Sequence, residues 1–226
     1  MLKIRRIAVL TSGDNSPGLN ACIRAVVRTA IHCGWKPWGV QNGYAGLLKG
    51  DFLPLSSRSV SNIINRGGTF LGVSRSDTFR VRHGLRDALR NLNEIGIDAL
   101  IVIGGAGSMC GAKMLDEAGF PTVGVPATIE NDVCGTDMAI GADTALNTAL
   151  AAIDRIKDTA SLQQQAFLVE VAGHRSGYVA LMTGIAGGAE MVCTPEVPFT
   201  LDEVEKEVAD AYVRGKKDGG DQRHHL

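Results

Sequence analysis

Short apolar runs alternate along the chain with longer segments in which apolar residues recur at helical spacing. Apolar runs between turn-forming residues are typical of buried strands, and a spacing of three and four residues is typical of amphipathic helices. The runs predict strands at residues 7–10, 35–40, 99–103, 122–125 and 167–171. The helical spacing predicts helices at residues 19–33, 60–65, 85–95, 113–118, 142–158, 178–185 and 201–214.

This alternation predicts an α/β fold in which helices cover both faces of a mostly parallel sheet. Pro17 is expected at the first position of the first helix, and Pro126 is expected to end the strand before it. The chain has 226 residues, of which 45% are hydrophobic. That is enough for one large α/β domain, or for one domain and part of a second.

The charge and cysteine content exclude several classes of protein. The 23 basic and 24 acidic residues give a net charge of −1, so no overall basic field exists for nucleic acid. No apolar run is long enough for a membrane span, and the first six residues lead into a strand rather than a signal peptide. The five cysteines show neither zinc spacing nor a disulfide framework. We therefore expect a cytoplasmic protein with reduced thiols.

The end of the chain has an unusual composition for an α/β protein. The last predicted helix ends near Lys216 and Lys217, and the sequence continues DGGDQRHHL, with no apolar residue before Leu226. One interpretation is a frayed terminus. The other, which we favour, is a chain that stops before its architecture is complete.

Two glycine-rich loops follow predicted strands. In open α/β sheets, ligands bind outside the carboxyl ends of the strands. Residues 11–18 (TSGDNSPG) and 104–108 (GGAGS) each lead into a helix, whose first N–H groups bind anions. Each loop also suits a tight connection with no ligand.

Two polar loops follow strands later in the chain. Residues 126–137 contain Glu130 and Asp132, a spacing that suits a general base beside an acid that orients a metal ion. Helix-capping acids in a polar loop give the same spacing. Residues 172–177 (AGHRSG) place a histidine and an arginine where they could hold a phosphate, or form a solvated turn. Together the four loops indicate phosphate binding or phosphoryl transfer.

These segments, taken in order, resemble the 6-phosphofructokinase family, in particular its bacterial ATP-dependent branch. The similarity runs from residue 7 to about residue 217. It rests on the segments VLTSGDNSPGLNACIR, INRGGTFLGVSR, IDALIVIGGAGS, VPATIENDVCGTD, AIDRIKDT, VEVAGHRSG and IAGGAE. The resemblance implies two similar α/β domains with the active site between them. It makes residues 1–138 the nucleotide-binding domain and residues 139–226 an incomplete sugar-phosphate domain.

The resemblance also implies roles for individual residues. The residues matching ATP-binding positions are Gly13, Arg75, Ser76, Gly105, Ala106, Gly107 and Ser108. The residues matching substrate-binding positions are Thr128, Ile129, Glu130, Gln165, Ala172, Gly173 and His174. Glu130 matches the catalytic base, Thr128 a further catalytic position, and Asp132 an acid that orients Mg²⁺ through water.

A second set of residues matches an effector site for ADP and phosphoenolpyruvate at a subunit interface. Its members are Arg24, Arg28, Lys157, Glu190, Arg214 and Lys216. Arg66 falls in the loop that connects this site to the active site in the family. The resemblance therefore implies a homo-oligomer that binds ATP or ADP and a sugar phosphate, with Mg²⁺ as cofactor.

Several departures from the family pattern fall on functional positions. Ala106 stands where the family has an aspartate that serves Mg²⁺, and alanine offers no oxygen ligand. Glu130 stands where the family has aspartate, and its extra methylene moves the carboxylate by about 1 Å, which can cost ~10²-fold in rate. Asp14 stands where glycine is usual and would repel ATP phosphates if it faced them. Asn15, the next residue, stands where aspartate is usual.

Three further departures remove or weaken cationic groups. Gln165 and His174 each stand where an arginine binds fructose 6-phosphate, and Ser57 replaces an effector arginine beside Arg58. Hydrophobic patterning is intact throughout, so the sequence indicates a retained fold with weakened or lost catalysis.

Two functions remain open. The first is ATP-dependent phosphorylation of fructose 6-phosphate to fructose 1,6-bisphosphate, as in glycolysis. The second is a catalytically weak or inactive binding or regulatory protein, or a truncated gene product. The pyrophosphate-using branch is disfavoured, because it carries an acidic residue where Gly107 stands and a lysine where Ala127 stands.

Overall fold

The computed structural model describes residues 4–74, 79, 82–163 and 165–221. The chain divides into two compact units, Met1–Ala142 and Asp143–Leu226.

The first unit contains a six-stranded sheet in the order β3-β2-β1-β4-β5-β6. All neighbouring strands are parallel except β2 and β3, which are antiparallel. This confirms the expected mostly parallel α/β sheet. The strands are β1 (Arg6–Ser12), β2 (Lys36–Val40), β3 (Phe52–Pro54), β4 (Ala99–Gly104), β5 (Thr122–Thr128) and β6 (Ile140–Gly141).

Helices cover both faces of this sheet, because the central strands are apolar on both sides. Leu10 and Leu100 lie in one buried cluster, and Val9 and Ile103 lie in the other. Alternate residues of a strand point to opposite faces, so each cluster forms a separate layer between the sheet and its helices. The helices of this unit are α1 (Leu19–His32), α2 (Gly43–Lys49), α3 (Arg82–Ile95) and α4 (Ala106–Glu117).

The second unit is built from helices. Helix α5 (Ala142–Gln163) begins at the boundary between the units, and α6 (Tyr178–Gly187) and α7 (Leu201–Asp221) follow. Contacts within the unit fix both ends of α6. The N–H of Gly177 donates to Glu196 Oε1 (2.7 Å) at its start, and Lys157 Nζ donates to the carbonyl of Gly187 (2.7 Å) at its end. Within the described residues, no helix combines the length and the apolar character that a membrane span requires.

Two predicted elements are wrong. Residues 60–65 form turns, in which Ser61 Oγ bonds the carbonyl of Arg58 (2.9 Å). Val60 and Ile63 are buried three residues apart, so a turn imitates helical spacing. Residues 167–171 form no strand; Leu168 is 96% exposed, and none of the described strands pairs with this segment. An apolar run becomes a strand only where a neighbouring strand bonds it.

The two prolines also differ from expectation. Pro17 precedes α1, which starts at Leu19 with Gly18 as its N-cap in the left-handed region (φ 88°). Pro126 lies inside β5 instead of ending it. Its missing N–H is tolerated because β6 pairs only with Ala127 and Thr128, which leaves Pro126 with a strand on one side alone.

Candidate functional site

Three of the predicted loops meet at one edge of the sheet. Strands β1, β4 and β5 are adjacent and parallel, with Ser12 paired to Gly104 and Gly104 paired to Pro126. The segments that follow these strands therefore leave the sheet side by side. This is the edge at which open α/β sheets bind ligands.

The first loop turns sharply at Gly13, whose φ of +92° favours glycine. A Cβ placed on Gly13 would lie 3.5 Å from Ser108 Oγ and 3.9 Å from the nitrogen of Gly105. The turn after β1 therefore lies against the turn after β4. We call Gly13 together with residues 105–108 the glycine cradle.

The second part of the cradle is the first turn of α4. Gly105 is the N-cap, and Ala106 and Gly107 begin the helix, where N–H groups have no partner within the helix. Ser108 is buried, and a Cβ on Gly104 would lie 2.5 Å from its Oγ and 2.3 Å from the carbonyl oxygen of Ser12. The absence of side chains thus lets two backbones approach closely around one serine hydroxyl.

The third loop is held at its start by Thr128. The N–H of Glu130 donates to Thr128 Oγ1 (3.1 Å), and a Cβ on Gly105 would lie 3.4 Å from Thr128 Cβ. Thr128, Ile129 and Glu130 are half-buried, whereas Asp132 is exposed. The structure therefore places Thr128 and Glu130 beside the glycine cradle.

Asn131 folds the rest of this loop. It adopts a left-handed conformation (φ 49°), which asparagine tolerates better than most residues. Its Nδ2 donates to the carbonyl of Asp137 (3.0 Å), and the N–H of Ala139 donates to its Oδ1 (2.8 Å). These two bonds close the loop, so Glu130 is presented from a folded turn.

Glu130 has an acidic neighbour in the first loop. A carboxylate oxygen of Asp14 lies within 4.8 Å of a carboxylate oxygen of Glu130. From the sequence alone, Asp14 is expected only to act as a charge that would repel ATP phosphates if it faced them. Two carboxylates at this distance also offer the oxygen donors that Mg²⁺ prefers.

A fourth segment of the first unit, residues 66–72, is tied to β1 and α1. Buried Asn20 donates through Nδ2 to the carbonyl of Arg66 (2.9 Å) and accepts from the N–H of Phe70 (2.8 Å). Thr11 Oγ1 donates to the carbonyl of Gly72 (2.9 Å). Sequence reasoning assigned no role to Asn20 or Thr11. The only signal in the sequence was a polar residue at a position where the apolar pattern predicts burial.

The expected effector residues of the first unit lie on α1. Arg28 is exposed, and Arg24 is half-buried, with a buried Nε that has no hydrogen-bond partner among the described residues. Arg75 and Ser76, expected to bind ATP, lie outside the described residues.

The second unit contains the remaining predicted residues. Gln165, Ala172 and His174 are exposed, and Gly173 is half-buried. The loop turns where the N–H of Ser176 bonds the carbonyl of Gly173 (2.8 Å), and His174 is left-handed (φ 48°). The structure thus gathers the AGHRSG loop at the start of α6.

The start of α6 already holds an anionic group. The hydrogen bond from the N–H of Gly177 holds the pKa of Glu196 below its ordinary value. A carboxylate in this position satisfies a donor that would otherwise be available to a phosphate. Sequence reasoning missed Glu196, which lies 19 residues from its partner.

The effector residues expected in this unit occupy several positions. Lys157 caps the end of α6 through Gly187 (2.7 Å), and Glu190 is exposed. Arg214 and Lys216 lie on α7, where only the backbone is described.

Comparisons with known proteins agree on one family. A family model described as Phosphofructokinase matches residues 6–221. The ATP-dependent 6-phosphofructokinase of Bacillus pumilus (strain SAFR-032) is 49% identical over 214 residues, which cover 95% of this chain and 67% of the relative. That of Streptococcus sanguinis (strain SK36) is also 49% identical, over 95% of this chain and 64% of the relative. The chain thus spans about two thirds of the length of these relatives.

Solved structures give the same result for the fold. The phosphofructokinase of Saccharomyces cerevisiae superposes with a TM-score of 0.83 and 41% identity, over 93% of this chain and 32% of that one. A pyrophosphate-dependent phosphofructokinase from Marinobacter aquaeolei superposes with a TM-score of 0.81 at 23% identity, over 93% of this chain and 58% of that one. The second similarity concerns the fold alone.

Proposed function

Since the chain belongs to the phosphofructokinase family, a family of phosphotransferases, we propose that it binds ATP and fructose 6-phosphate and transfers the γ-phosphoryl group between them. The observation that carries this proposal is the glycine cradle. A Cβ built on Gly13 would lie 3.5 Å from Ser108 Oγ and 3.9 Å from the nitrogen of Gly105, across two adjacent strands at the edge of the sheet where ligands bind. Backbone N–H groups and a helix N-terminus bind phosphate whatever the neighbouring side chains are.

The reacting groups of the proposed step are Glu130 and the sugar. The 1-hydroxyl of fructose 6-phosphate attacks the γ-phosphorus, the bond from that phosphorus to the bridging oxygen breaks, and ADP leaves. Glu130 accepts the hydroxyl proton, and the bond from its own N–H to Thr128 Oγ1 fixes the turn that carries it. Catalysis of this kind consists mostly of positioning and charge neutralisation.

A divalent cation, Mg²⁺, fits the donors of this site. The carboxylates of Asp14 and Glu130 lie within 4.8 Å of each other, and exposed Asp132 is available to a metal-bound water. The cation, bound with ATP, would neutralise charge on the transferring phosphoryl group. Ala106 contributes no ligand, so we propose that Asp14 supplies the carboxylate that position 106 lacks.

The second unit supplies the proposed sugar-phosphate contacts. Gly173, Ala172 and His174 belong to the loop before α6, and Gln165 lies upstream of it. Neither glutamine nor histidine offers the bidentate guanidinium with which arginine binds a phosphate. We therefore propose weaker fructose 6-phosphate binding than in relatives with arginines there.

Assembly and regulation complete the proposal. We propose a cytoplasmic homo-oligomer in which Arg24, Arg28, Lys157, Glu190, Arg214 and Lys216 contribute to an effector site. Lys157 would have to release the carbonyl of Gly187 to bind an effector anion, because its ammonium group already donates there (2.7 Å).

The test is a coupled assay that detects fructose 1,6-bisphosphate formed by the purified chain. We expect product formation that depends on ATP and Mg²⁺. We expect Glu130→Gln to remove most of the product, because an amide cannot accept the proton of the sugar hydroxyl. Asp116→Asn, an exposed acid at the far end of α4, is the matched control and should act like the wild type. Product formed equally by Glu130→Gln would contradict the assigned base.

One observation favours a second function, a phosphofructokinase-like binding or regulatory protein. Ala106 places a methyl group at the start of α4, within the cradle, where it can hold no cation. Calorimetry separates the two functions. Binding of ATP and fructose 6-phosphate without product would establish the second function, and product would establish the first.

A further inference from the structure

The least expected contact of the first unit is made by Tyr44, on the short helix α2. Its hydroxyl donates to the backbone carbonyl of Ser108 (2.8 Å), across 64 residues of sequence. Its ring stacks on Phe79, with centroids 4.2 Å apart and planes 30° apart. Tyr44 is only 5% exposed.

Helix α4 is shaped to receive this ring. A Cβ on Gly111 would lie 2.5 Å from both Cζ and Oη of Tyr44, a distance that no real side chain accepts. The glycine therefore lets the tyrosine approach the helix axis, one turn after Ser108. Tyr44 is thus packed against the first two turns of α4 by its ring and bonded to the first turn by its hydroxyl.

Ser108 is the residue through which this contact reaches the site. Its Oγ is the nearest neighbour of a Cβ built on Gly13, and it lies close to Gly104 as well. Because interiors are closely packed, a shift of Ser108 would change the spacing of both glycine turns. A side chain that fixes the carbonyl of Ser108 therefore fixes the width of the cradle.

The hydroxyl is suited to this role. Burial, with a smaller effect of Cys110, raises the pKa of Tyr44 well above its ordinary value. The group therefore stays protonated and remains a donor to Ser108 at neutral pH. A phenylalanine at this position would keep the ring and leave the carbonyl without this donor.

We infer that Tyr44 is a positioning residue for phosphate binding, which holds the first turn of α4 at the spacing from Gly13 that a polyphosphate chain requires. The inference rests on the proposed function of the glycine cradle. It assigns Tyr44 an effect on affinity for the phosphates themselves, exerted through Ser108.

The experiment compares Tyr44→Phe with the wild type by calorimetry, using ATP and inorganic tripolyphosphate as separate probes in the presence of Mg²⁺. Loss of one neutral hydrogen bond changes a folding equilibrium by about five-fold, and this is the upper limit of its effect on affinity. We expect Kd to rise by up to about five-fold for both probes, and KM for fructose 6-phosphate to stay unchanged.

Thr122→Val is the matched control. Thr122 Oγ1 also donates to a backbone carbonyl, that of Phe120 (2.9 Å), but at the amino end of β5, away from the cradle. Both variants should lower the unfolding temperature by a few degrees, and only Tyr44→Phe should change Kd. Gly111→Ala, which forces the Tyr44 ring to move, should weaken the binding of both probes further. It replaces Tyr44→Phe as the test variant if Tyr44→Phe folds poorly.

Three results would overturn the inference. An unchanged Kd for both probes in Tyr44→Phe and in folded Gly111→Ala would overturn the inference about Tyr44 and leave the proposed function intact. Weaker binding of ATP with unchanged binding of tripolyphosphate would show that Tyr44 acts on the nucleoside. This result would also overturn the inference. A wild type that binds neither probe would refute the proposed function, and the inference with it.

Discussion

Replacing Asp14 should have opposite effects on ATP affinity in the absence and in the presence of a divalent cation. Asp14 and Glu130 place carboxylate oxygens within 4.8 Å of each other. Without a cation, ATP must approach two negative charges. With a cation, the Asp14 carboxylate becomes a ligand for it. Asp14→Asn keeps the size of the side chain and removes one charge.

The magnitude follows from Coulomb's law. Two unit charges 4.8 Å apart interact by about 1 kcal/mol in water and about 3 kcal/mol at an effective dielectric constant of 20. Asp14 is exposed, so the lower value applies. An ATP phosphate at a similar distance would be repelled by about the same amount, which corresponds to roughly five-fold in Kd.

The assay is calorimetric titration with ATP, in EDTA and in excess Mg²⁺, together with titration of Mn²⁺ followed by electron paramagnetic resonance. In EDTA, Asp14→Asn should bind ATP about five-fold more tightly. In Mg²⁺ it should bind ATP more weakly than the wild type, and Mn²⁺ affinity should fall. Asp116→Asn controls for net charge. An effect of the same sign in both buffers, or none, would refute the idea that Asp14 is a metal ligand.

The remaining predictions concern the cradle, a buried amide and a carboxylate at the amino end of β1. Ala106→Asp should raise turnover, and it should raise the affinity for ATP in Mg²⁺ about ten-fold, because a carboxylate at a helix N-terminus is favourable and would add a metal ligand. An unchanged Kd for ATP in calorimetry would contradict this. Asn20→Ala should lower the free energy of unfolding in urea by about 1–3 kcal/mol, because it leaves the carbonyl of Arg66 and the N–H of Phe70 without their partner; Asn147→Ala, an exposed amide on α5, is the control. Hydrogen bonds from the N–H groups of Arg5 and Arg6 lower the pKa of Asp98 below its ordinary value of 3.8. Its stabilisation is therefore complete above that value and is lost as the pH falls through the folded pKa, so Asp98→Asn should flatten the acid side of the stability profile.

The sequence predicted the central strands and the site edge for a physical reason. Strands β1 and β4 are buried on both faces, so their residues form continuous apolar runs between turn-forming residues. The parallel order then brings the glycine loops to one edge without further information. Thr128, Glu130, Gly105 and Ser108 lie at this edge for that reason. Their roles come from the resemblance of their motifs to a known family and stay predictions.

The features that were missed depend on contacts distant in sequence. Helix α2 is seven residues long and contains two glycines, so it has little helical signal of its own. Tyr44 becomes important only because Ser108 and Gly111 come to lie against it. The apolar run at 167–171 failed for the opposite reason, since local composition cannot show whether a partner strand is present.

The pairing of β1 with β4 has a consequence for synthesis of the chain. Arg6 and Asp98, bonded at the start of these strands, are 92 residues apart, whereas β2 follows β1 closely. At about 5–20 residues per second, the ribosome needs roughly 5–20 seconds to deliver β4 after β1. During that interval one side of an apolar strand has no neighbour and is open to pairing with other chains. The period of greatest aggregation risk is therefore set by translation speed across residues 12–98, a segment in which slowed decoding should reduce the yield of folded protein.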